Sequence, residues 1–165
     1  MSRLLYSHKW ISLREGLHSE AYIDLGSGVV VVPVLDSGLV NLIVETSYVD
    51  GSRCIGLPGG AIENAESPEE CARRELLEEA SIEARFIQAI GRINPMQRYA
   101  LSDVHVFLAY GVGATSVTRE EPYEIDNLPS SWDEIEKMIR SGRVTDAATI
   151  ASLFLARDWI SRSAT

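Results

Sequence analysis

Residues 66–82, ESPEECARRELLEEASI, decide the fold, because they predict a helix whose beginning and buried face can both be read from the sequence. Residues 67–70 form an S-x-x-E capping box with proline at the first helical position, which is a strong signal for a helix start. Helical spacing then places Ala72, Leu76 and Ala80 in one apolar stripe. We therefore expect this helix to pack on a sheet.

The same helix gathers negative charge. Glu75 and Glu79 are four residues apart and Glu78 lies within one turn of both, so the three carboxylates project from one face about 100° wide. Two interpretations remain open: a solvated acidic face, or a site for a hard cation such as Mg²⁺, which prefers oxygen ligands. Two features favour the cation: the glycine-rich loop ending in Glu66, and Arg74, which stands one turn before Glu78 and can orient a carboxylate.

The flanking segments predict strands and two further helices. Strands are expected at residues 19–24, 28–36, 37–46, 82–91 and 103–112, and helices at residues 131–141 and 145–161. The second and third strands read as a hairpin joined by a D-S-G turn, and Pro33 indicates an edge or a bulge in the first of them. Residues 51–66 are expected to form a structured loop. The order of elements predicts a mixed α/β layer fold.

Composition limits the classes of function. The chain of 165 residues is 45% hydrophobic and 24% charged, so we expect one domain, residues 1–165. The net charge of −9 argues against a nucleic-acid partner, whose phosphates need a basic surface. Cys54 and Cys71 are too few for a disulfide scaffold and predict buried thiols in a reducing compartment. The sequence shows neither a signal-peptide core nor an apolar run long enough for a bilayer, so a cytoplasmic protein without a membrane partner is expected.

The acidic helix and the loop before it resemble the signature of the Nudix family, which hydrolyses nucleoside diphosphates linked to another moiety. The matching pattern is Gly60, five residues, Glu66, seven residues, Arg74-Glu75-Leu76, one residue, Glu78-Glu79, one residue, a small residue and Ile82. The resemblance implies an α/β/α sandwich with a mixed β-sheet between helices. It also implies that the pyrophosphate bond of a nucleotide substrate is cleaved with Mg²⁺, or with Mn²⁺ in its place.

The resemblance further implies a role for each residue of the signature. The implied metal ligands are the Gly59 carbonyl, Glu75, Glu78 and Glu79, where Glu78 either ligates or assists catalysis beside the metal. The residues implied to hold the loop and the helix in place are Gly60, Glu66 and Arg74. In this arrangement, cations bridging a pyrophosphate stabilise both the attacking water and the leaving phosphate.

Later segments resemble the branch that cleaves ADP-ribose and nucleoside-diphosphate sugars. Pro95 follows the signature, and residues 103–112 are similar to that branch's H-x-F-L-A strand. The branch takes its general base from a glutamate in the loop after this strand, which makes Glu120 and Glu121 the candidates here, with Glu124 behind them. The expected reaction converts ADP-ribose to AMP and ribose 5-phosphate.

The nucleotide-binding residues are less defined. Trp10 and Arg98 are candidates for gripping the nucleotide, whereas His105 and Trp159 lie among apolar residues and are expected in the core. The resemblance implies a homodimer in which the N-terminal segment, residues 1–27, contributes to the contact.

Two other functions remain open. One is hydrolysis of nucleoside triphosphates by the same fold. The other belongs to a different class, a nucleotide-binding regulatory module without catalysis. The second alternative rests on Ser81, because the family normally has glycine there as the left-handed residue that ends the helix.

Overall fold

The computed structural model describes residues 2–9, 11–63, 65–114 and 124–163, with residues 18 and 112–114 described through their backbone only. The strands in this part of the chain are β1 (Arg3–His8), β2 (Ile11–Glu15), β3 (Ala21–Leu35), β4 (Val40–Thr46), β5 (Arg53–Gly56), β6 (Gly59–Ala61), β7 (Ile82–Ile93), β8 (Ala100–Ala114) and β9 (Asp126–Ser130). The α-helices are α1 (Pro68–Ala80), α2 (Trp132–Arg140) and α3 (Ala147–Ser163), and Leu17–Ser19 form a short 3₁₀ helix.

Strand β3 lies at the centre of the mixed sheet. It pairs antiparallel with β2, β4 and β6 and parallel with β8, while β7 pairs with β8 and β9 with β4. The sequence predicted two strands where β3 is continuous. Pro33 is fully buried, and the register with β8 shifts between Pro33 and Leu35, so the bulge is confirmed and the edge position is wrong.

The helices cover the two faces of this sheet. Val29, Val31 and Phe107 pack with the apolar stripe of α1, whereas Val32 and Leu108 belong to a second core that includes residues of α2 and α3. Alternation along β3 and β8 explains this division, because neighbouring side chains of a strand point to opposite faces. The α/β class with helices on both sides of a mixed sheet is confirmed.

Helix α1 begins and ends as its sequence requires. Glu70 donates its backbone N–H to the Ser67 Oγ at 3.2 Å, and the Ser67 N–H donates to the Glu70 carboxylate at 2.7 Å, so the capping box is confirmed. Ser81 ends the helix in the left-handed conformation, with φ 54° and ψ 43°. The serine therefore adopts the conformation in which the family uses glycine.

The segments with weak sequence signals differ from expectation. The predicted loop at residues 51–66 contains β5, which pairs antiparallel with the preceding strand β4, and β6, which pairs with the more distant strand β3. The N-terminal segment forms the hairpin of β1 and β2, which extends the sheet beside β3. All six residues of β1 are exposed.

Two further features concern the helices and the cysteines. Among the described residues, no helix combines the length and the apolarity that crossing a bilayer requires. Cys71 is buried and Cys54 is half-buried, and neither forms a disulfide.

Candidate active site

The glycine turn of β6 fits against the acidic face of α1. Gly59 donates its N–H to the Glu79 Oε2 at 2.9 Å. A Cβ on Gly60 would lie 2.2 Å from the Glu75 Oε1, and a Cβ on Gly59 would lie 2.3 Å from the Val29 carbonyl oxygen. A side chain on residue 59 would therefore collide with the backbone of β3, and one on residue 60 would displace the Glu75 carboxylate from its place.

Arg74 links the carboxylates of this face. Its Nη1 lies 2.8 Å from a Glu75 oxygen and 2.9 Å from a Glu78 oxygen, and its Nη2 lies 2.9 Å from a Glu66 oxygen. Glu75 is 7% exposed, so the interpretation of a solvated acidic face does not describe this residue. A carboxylate this buried needs charged or hydrogen-bonding partners to remain ionised.

Glu66 fixes the loop to the helix. Its carboxylate accepts hydrogen bonds from Arg74 and from the Glu63 N–H, the latter at 2.8 Å. These contacts, chiefly the one to Arg74, lower the pKa of Glu66 to about 2. Burial raises the pKa of the nearby Cys71 thiol to about 12, and this thiol donates to the Ala61 carbonyl. The loop is thus held by a carboxylate that stays ionised and a thiol that stays protonated near neutral pH.

The donor set fits a divalent cation by charge and by atom type. The carboxylates of Glu66, Glu75 and Glu78 contact the guanidinium of Arg74, and Glu79 accepts from the Gly59 N–H, so one guanidinium cannot neutralise all four carboxylates. Within the described ranges, no three acidic, histidine or cysteine side chains already converge on one point. Arg74 lies between Glu75 and Glu78, so a cation bound there competes with this arginine for their oxygens.

Three predicted site residues, Trp10, Glu120 and Glu121, lie outside the described residues. Arg98 lies elsewhere, with its guanidinium 5.7 Å from the ring centre of Tyr99. Ala100, two residues later in the chain, pairs with Ile23 of β3. The glycine turn pairs with Val29, which is six residues after Ile23 on β3. Roughly 20 Å of strand therefore separates the glycine turn from the part of the sheet next to Arg98. The structure therefore does not bring Arg98 to the glutamates of its own chain.

Trp159 and His105 illustrate how far apolar neighbours predict burial. Trp159 packs against the core beneath α3, as predicted. The prediction that His105 lies in the core is wrong, because its side chain is 24% exposed and its Nε2 lies 3.8 Å from the Asp103 carboxylate. Asp103 also accepts two hydrogen bonds from Arg92, of which the one from Nε measures 2.9 Å.

The cluster of Arg92, Asp103 and His105 was missed by sequence reasoning. A signal was present, because Asp103 and His105 are two residues apart in a predicted strand and must therefore share a face. Arg92 could not be added from sequence, since its register opposite His105 depends on a bulge between Ala89 and Gly91.

Comparison with known proteins now identifies the family. Residues 24–153 match the family described as NUDIX domain. The chain belongs to the Nudix family. It is a hydrolase, as predicted, and Nudix hydrolases in general use divalent metal ions.

Relatives and a solved structure agree with this assignment. The chain is 26% identical over 132 residues to the ADP compounds hydrolase NudE of Escherichia coli, covering 80% of this chain and 70% of that protein. It is 28% identical over 142 residues to the ADP-ribose pyrophosphatase of Bacillus subtilis, covering 84% and 77%. A crystal structure of an ADP compounds hydrolase has the same fold, with a TM-score of 0.80 at 20% identity over 99% of this chain and 93% of that one.

Proposed function

We propose that this Nudix hydrolase cleaves the pyrophosphate bond of ADP-ribose, or of a related nucleoside-diphosphate sugar, giving AMP and ribose 5-phosphate from ADP-ribose. The observation that carries the proposal is the contact of the Gly59–Gly60 turn with Glu75 and Glu79. Two relatives named for ADP compounds and for ADP-ribose support the substrate class. In the reaction, water adds to one phosphorus and the bridging oxygen leaves with the other phosphate.

Glu75, Glu78, Glu79 and the Gly59 carbonyl would hold Mg²⁺, with Mn²⁺ as an alternative. Such cations neutralise the pyrophosphate and lower the pKa of the attacking water. Gly60 leaves room for the Glu75 carboxylate, Glu66 fixes the loop, and Arg74 orients the carboxylates in the absence of metal. If a cation takes the oxygens of Glu75 or Glu78, the Arg74 guanidinium would keep its ion pair with Glu66.

Glu120 or Glu121 would serve as the general base. The backbone leaves β8 at Ala114, which pairs with Ile82, the second residue after the end of α1. Glu124, which follows the two glutamates in sequence, accepts a hydrogen bond from Arg53 through its carbonyl oxygen. Ala114, the last described residue before Glu120 and Glu121, lies beside the C-terminal end of the acidic helix, which supports assigning the base to one of these two glutamates.

We also propose that the chain, residues 1–165, is one domain that forms a homodimer through the N-terminal segment, residues 1–27. Exposed apolar side chains favour this contact: Leu4, Leu5, Tyr6, Ile11, Leu13 and Leu17. Monomeric proteins seldom expose so many large apolar side chains together. Arg98 lies far from the glutamates of its own chain. In the dimer, Arg98 and Trp10 would instead contact the nucleotide at the partner's site.

Product analysis tests the proposed reaction. The purified protein is incubated with ADP-ribose, sugar nucleotides and nucleoside triphosphates, each with Mg²⁺ and with EDTA. We expect Mg²⁺-dependent AMP and ribose 5-phosphate from ADP-ribose.

Glu79→Gln is expected to lower kcat by roughly two or more orders of magnitude, because it removes a charge from the metal site. Glu83→Gln, an exposed glutamate on β7, is the control. A Glu79→Gln variant with near-normal turnover contradicts the metal site.

Hydrolysis of nucleoside triphosphates is the second candidate. It is favoured by a 34% identity over 82 residues to the oxidized purine nucleoside triphosphate hydrolase of Danio rerio, which covers 48% of this chain and 49% of that protein. The products separate the two reactions, since a triphosphate gives a monophosphate and pyrophosphate. Turnover of triphosphates alone would retain the metal site and overturn the ADP-ribose proposal.

A further inference from the structure

Four residues lie side by side across the strands β6, β3, β8 and β7. Gly60 pairs with Val29, Val29 pairs with His105, and His105 pairs with Arg92. Neighbouring strands are about 4.8 Å apart, so His105 stands about 10 Å and Arg92 about 14 Å from the glycine turn. This row therefore begins at the proposed catalytic centre and runs straight across the sheet.

All four positions belong to the face of the sheet that carries α1. A Cβ on Gly60 would meet Glu75 of α1, and Val29 packs in the core beneath that helix. His105 lies two residues before Phe107, which packs in the same core, and strand side chains two residues apart share a face. Arg92 shares this face because it pairs with His105. The row is thus on the same side of the sheet as the acidic carboxylates.

The far end of this row is accessible and polar, whereas the apolar sheet under α1 is covered. The exposed fraction of the side chain rises from 24% at His105 to 63% at Arg92, and Asp103, which lies two residues before His105 and so shares its face, is 36% exposed. Arg92 binds Asp103 through Nε and Nη2, and its Nη1 makes no hydrogen bond to the described residues. An exposed ion pair of this kind adds little stability, so stability alone does not explain its position.

We propose that Arg92, Asp103 and His105, here called the polar row, bind the hydroxyl groups of the sugar that leaves with the second phosphate of the substrate. This inference rests on the proposed function and adds a specificity site to it. Sugar hydroxyls both donate and accept hydrogen bonds. The guanidinium donates, the carboxylate accepts, and the imidazole can do either, so the row complements a vicinal diol.

The position of the polar row matches the size of such a substrate. The backbones of His105 and Arg92 stand about 10–14 Å from the glycine turn by strand spacing, and this distance is covered jointly by a sugar attached to the pyrophosphate and by the two side chains that reach towards it. A nucleoside triphosphate carries no second sugar and leaves the row without a partner. The row therefore selects nucleoside-diphosphate sugars over triphosphates.

Steady-state kinetics test this assignment with two substrates. One is ADP-ribose, and the other is ADP esterified with a plain ethyl group, which has the same bond to cleave and lacks the sugar hydroxyls. Arg92→Ala and His105→Ala are expected to raise KM for ADP-ribose about tenfold with little change in kcat, because they remove binding that is equal in the ground and transition states. KM for the ethyl ester is expected to stay unchanged.

The controls separate a local effect from a general loss of structure. Arg140→Ala removes an arginine of similar exposure that pairs with Glu136 on α2, and its KM for both substrates is expected to equal that of the wild type. Asp103→Asn keeps the shape of the side chain, and thermal unfolding shows whether each variant folds. Equal KM increases for both substrates, or none for ADP-ribose, overturn the polar row as a sugar site.

A binding measurement without turnover distinguishes failure of this inference from failure of the proposed function. The chain has three histidines, so the imidazole signals of His105 can be assigned in NMR spectra by comparison with His105→Asn. Titration with ribose 5-phosphate is expected to shift the His105 signals, whereas inorganic phosphate is not. If ribose 5-phosphate shifts the His105 signals but the protein does not cleave ADP-ribose, the sugar site is supported and the proposed reaction is contradicted. Normal cleavage without a shift overturns the sugar site alone.

Discussion

Ser81 holds a backbone conformation that is unfavourable for serine. Its φ of 54° ends α1 in the left-handed region, where a Cβ crowds the following carbonyl. We expect Ser81→Gly to raise the free energy of unfolding by about 0.5–1 kcal/mol, because glycine adopts this conformation readily. Urea denaturation followed by circular dichroism measures the change. Catalysis is expected to be unaffected, since Ser81 lies beyond the acidic face.

Ser141 supplies the matched control for this substitution. It ends α2 at the equivalent position but with φ −85°, which any residue adopts. Ser141→Gly is therefore expected to lower stability slightly, since glycine gains freedom in the unfolded chain. If both substitutions stabilise the protein equally, the left-handed conformation of Ser81 is not the cause.

Glu66 makes stability depend on pH in the acidic range. Arg74 and the Glu63 N–H lower its pKa from the ordinary 4.5 to about 2. Because the folded state binds this proton less tightly than the unfolded state, the contribution of Glu66 is complete above pH 4.5 and is lost as the pH falls towards 2. We expect Glu66→Gln to lower the free energy of unfolding by about 1–3 kcal/mol at neutral pH.

The measurement is a series of urea denaturations in EDTA at several pH values, so that bound metal does not contribute. The difference between wild type and Glu66→Gln is expected to shrink as the medium becomes more acidic. Glu83→Gln serves as the control, because this glutamate is exposed on β7. A Glu66→Gln difference that is the same at all pH values contradicts the lowered pKa.

Asn127 couples three elements at the end of the acidic helix. Its Nδ2 donates to the Ala80 carbonyl at 2.9 Å, and its Oδ1 accepts from the buried Asn41 at 3.0 Å. Strands β4 and β9 thus satisfy a carbonyl at the C-terminus of α1. We expect Asn127→Ala to cost about 1–3 kcal/mol, because two polar groups lose their partner.

Hydrogen exchange locates this effect. Faster exchange is expected in the last turn of α1, with little change in α3. Asp126→Ala is the control, because Asp126 is a neighbouring exposed residue whose partner, Arg53, is on the surface. Asn127→Ala with unchanged exchange in α1 would show that the helix end does not depend on this contact.

The elements differ in how well the sequence predicts them, for physical reasons. Helix α1 is predictable because its capping box, proline and apolar stripe are local signals. Strand β6 is not, since Gly59–Ala61 has no strand-forming side chains and exists through its pairing with β3. The bulge at Pro33 follows from the missing N–H, but the central position of that strand depends on β8, which is distant in sequence.

The candidate site shows the same division. The positions of Glu75, Glu78 and Glu79 on one face follow from helical geometry alone. The contact of Glu79 with the Gly59 N–H and the convergence of Glu66, Glu75 and Glu78 on Arg74 require the tertiary fold. The hydrophobic pattern along a strand does not specify which residue lies opposite it on the neighbouring strand. For this reason Arg92 could not be placed beside His105 from the sequence.

At the scale of the whole molecule, the exposed N-terminal hairpin gives a prediction about assembly. Tyr6 on β1 is 63% exposed, and Phe154 on α3 is 72% exposed. We expect the wild type to sediment as a dimer and Tyr6→Asp to weaken this dimer, because a charge at an apolar contact is costly to desolvate. Phe154→Asp is the control and is expected to remain dimeric. A wild type that is monomeric at all concentrations contradicts the proposal.

The central position of β3 has a consequence for synthesis on the ribosome. Its partner β8 follows much later, since His105 comes 76 residues after Val29, the residue it pairs with. At a translation rate of about 5–20 residues per second, this edge of the apolar strand β3 remains unpaired for roughly 4–15 s before β8 is synthesised. A chaperone that shields extended apolar segments is therefore expected to raise the yield of native protein more than changes to the folded surface.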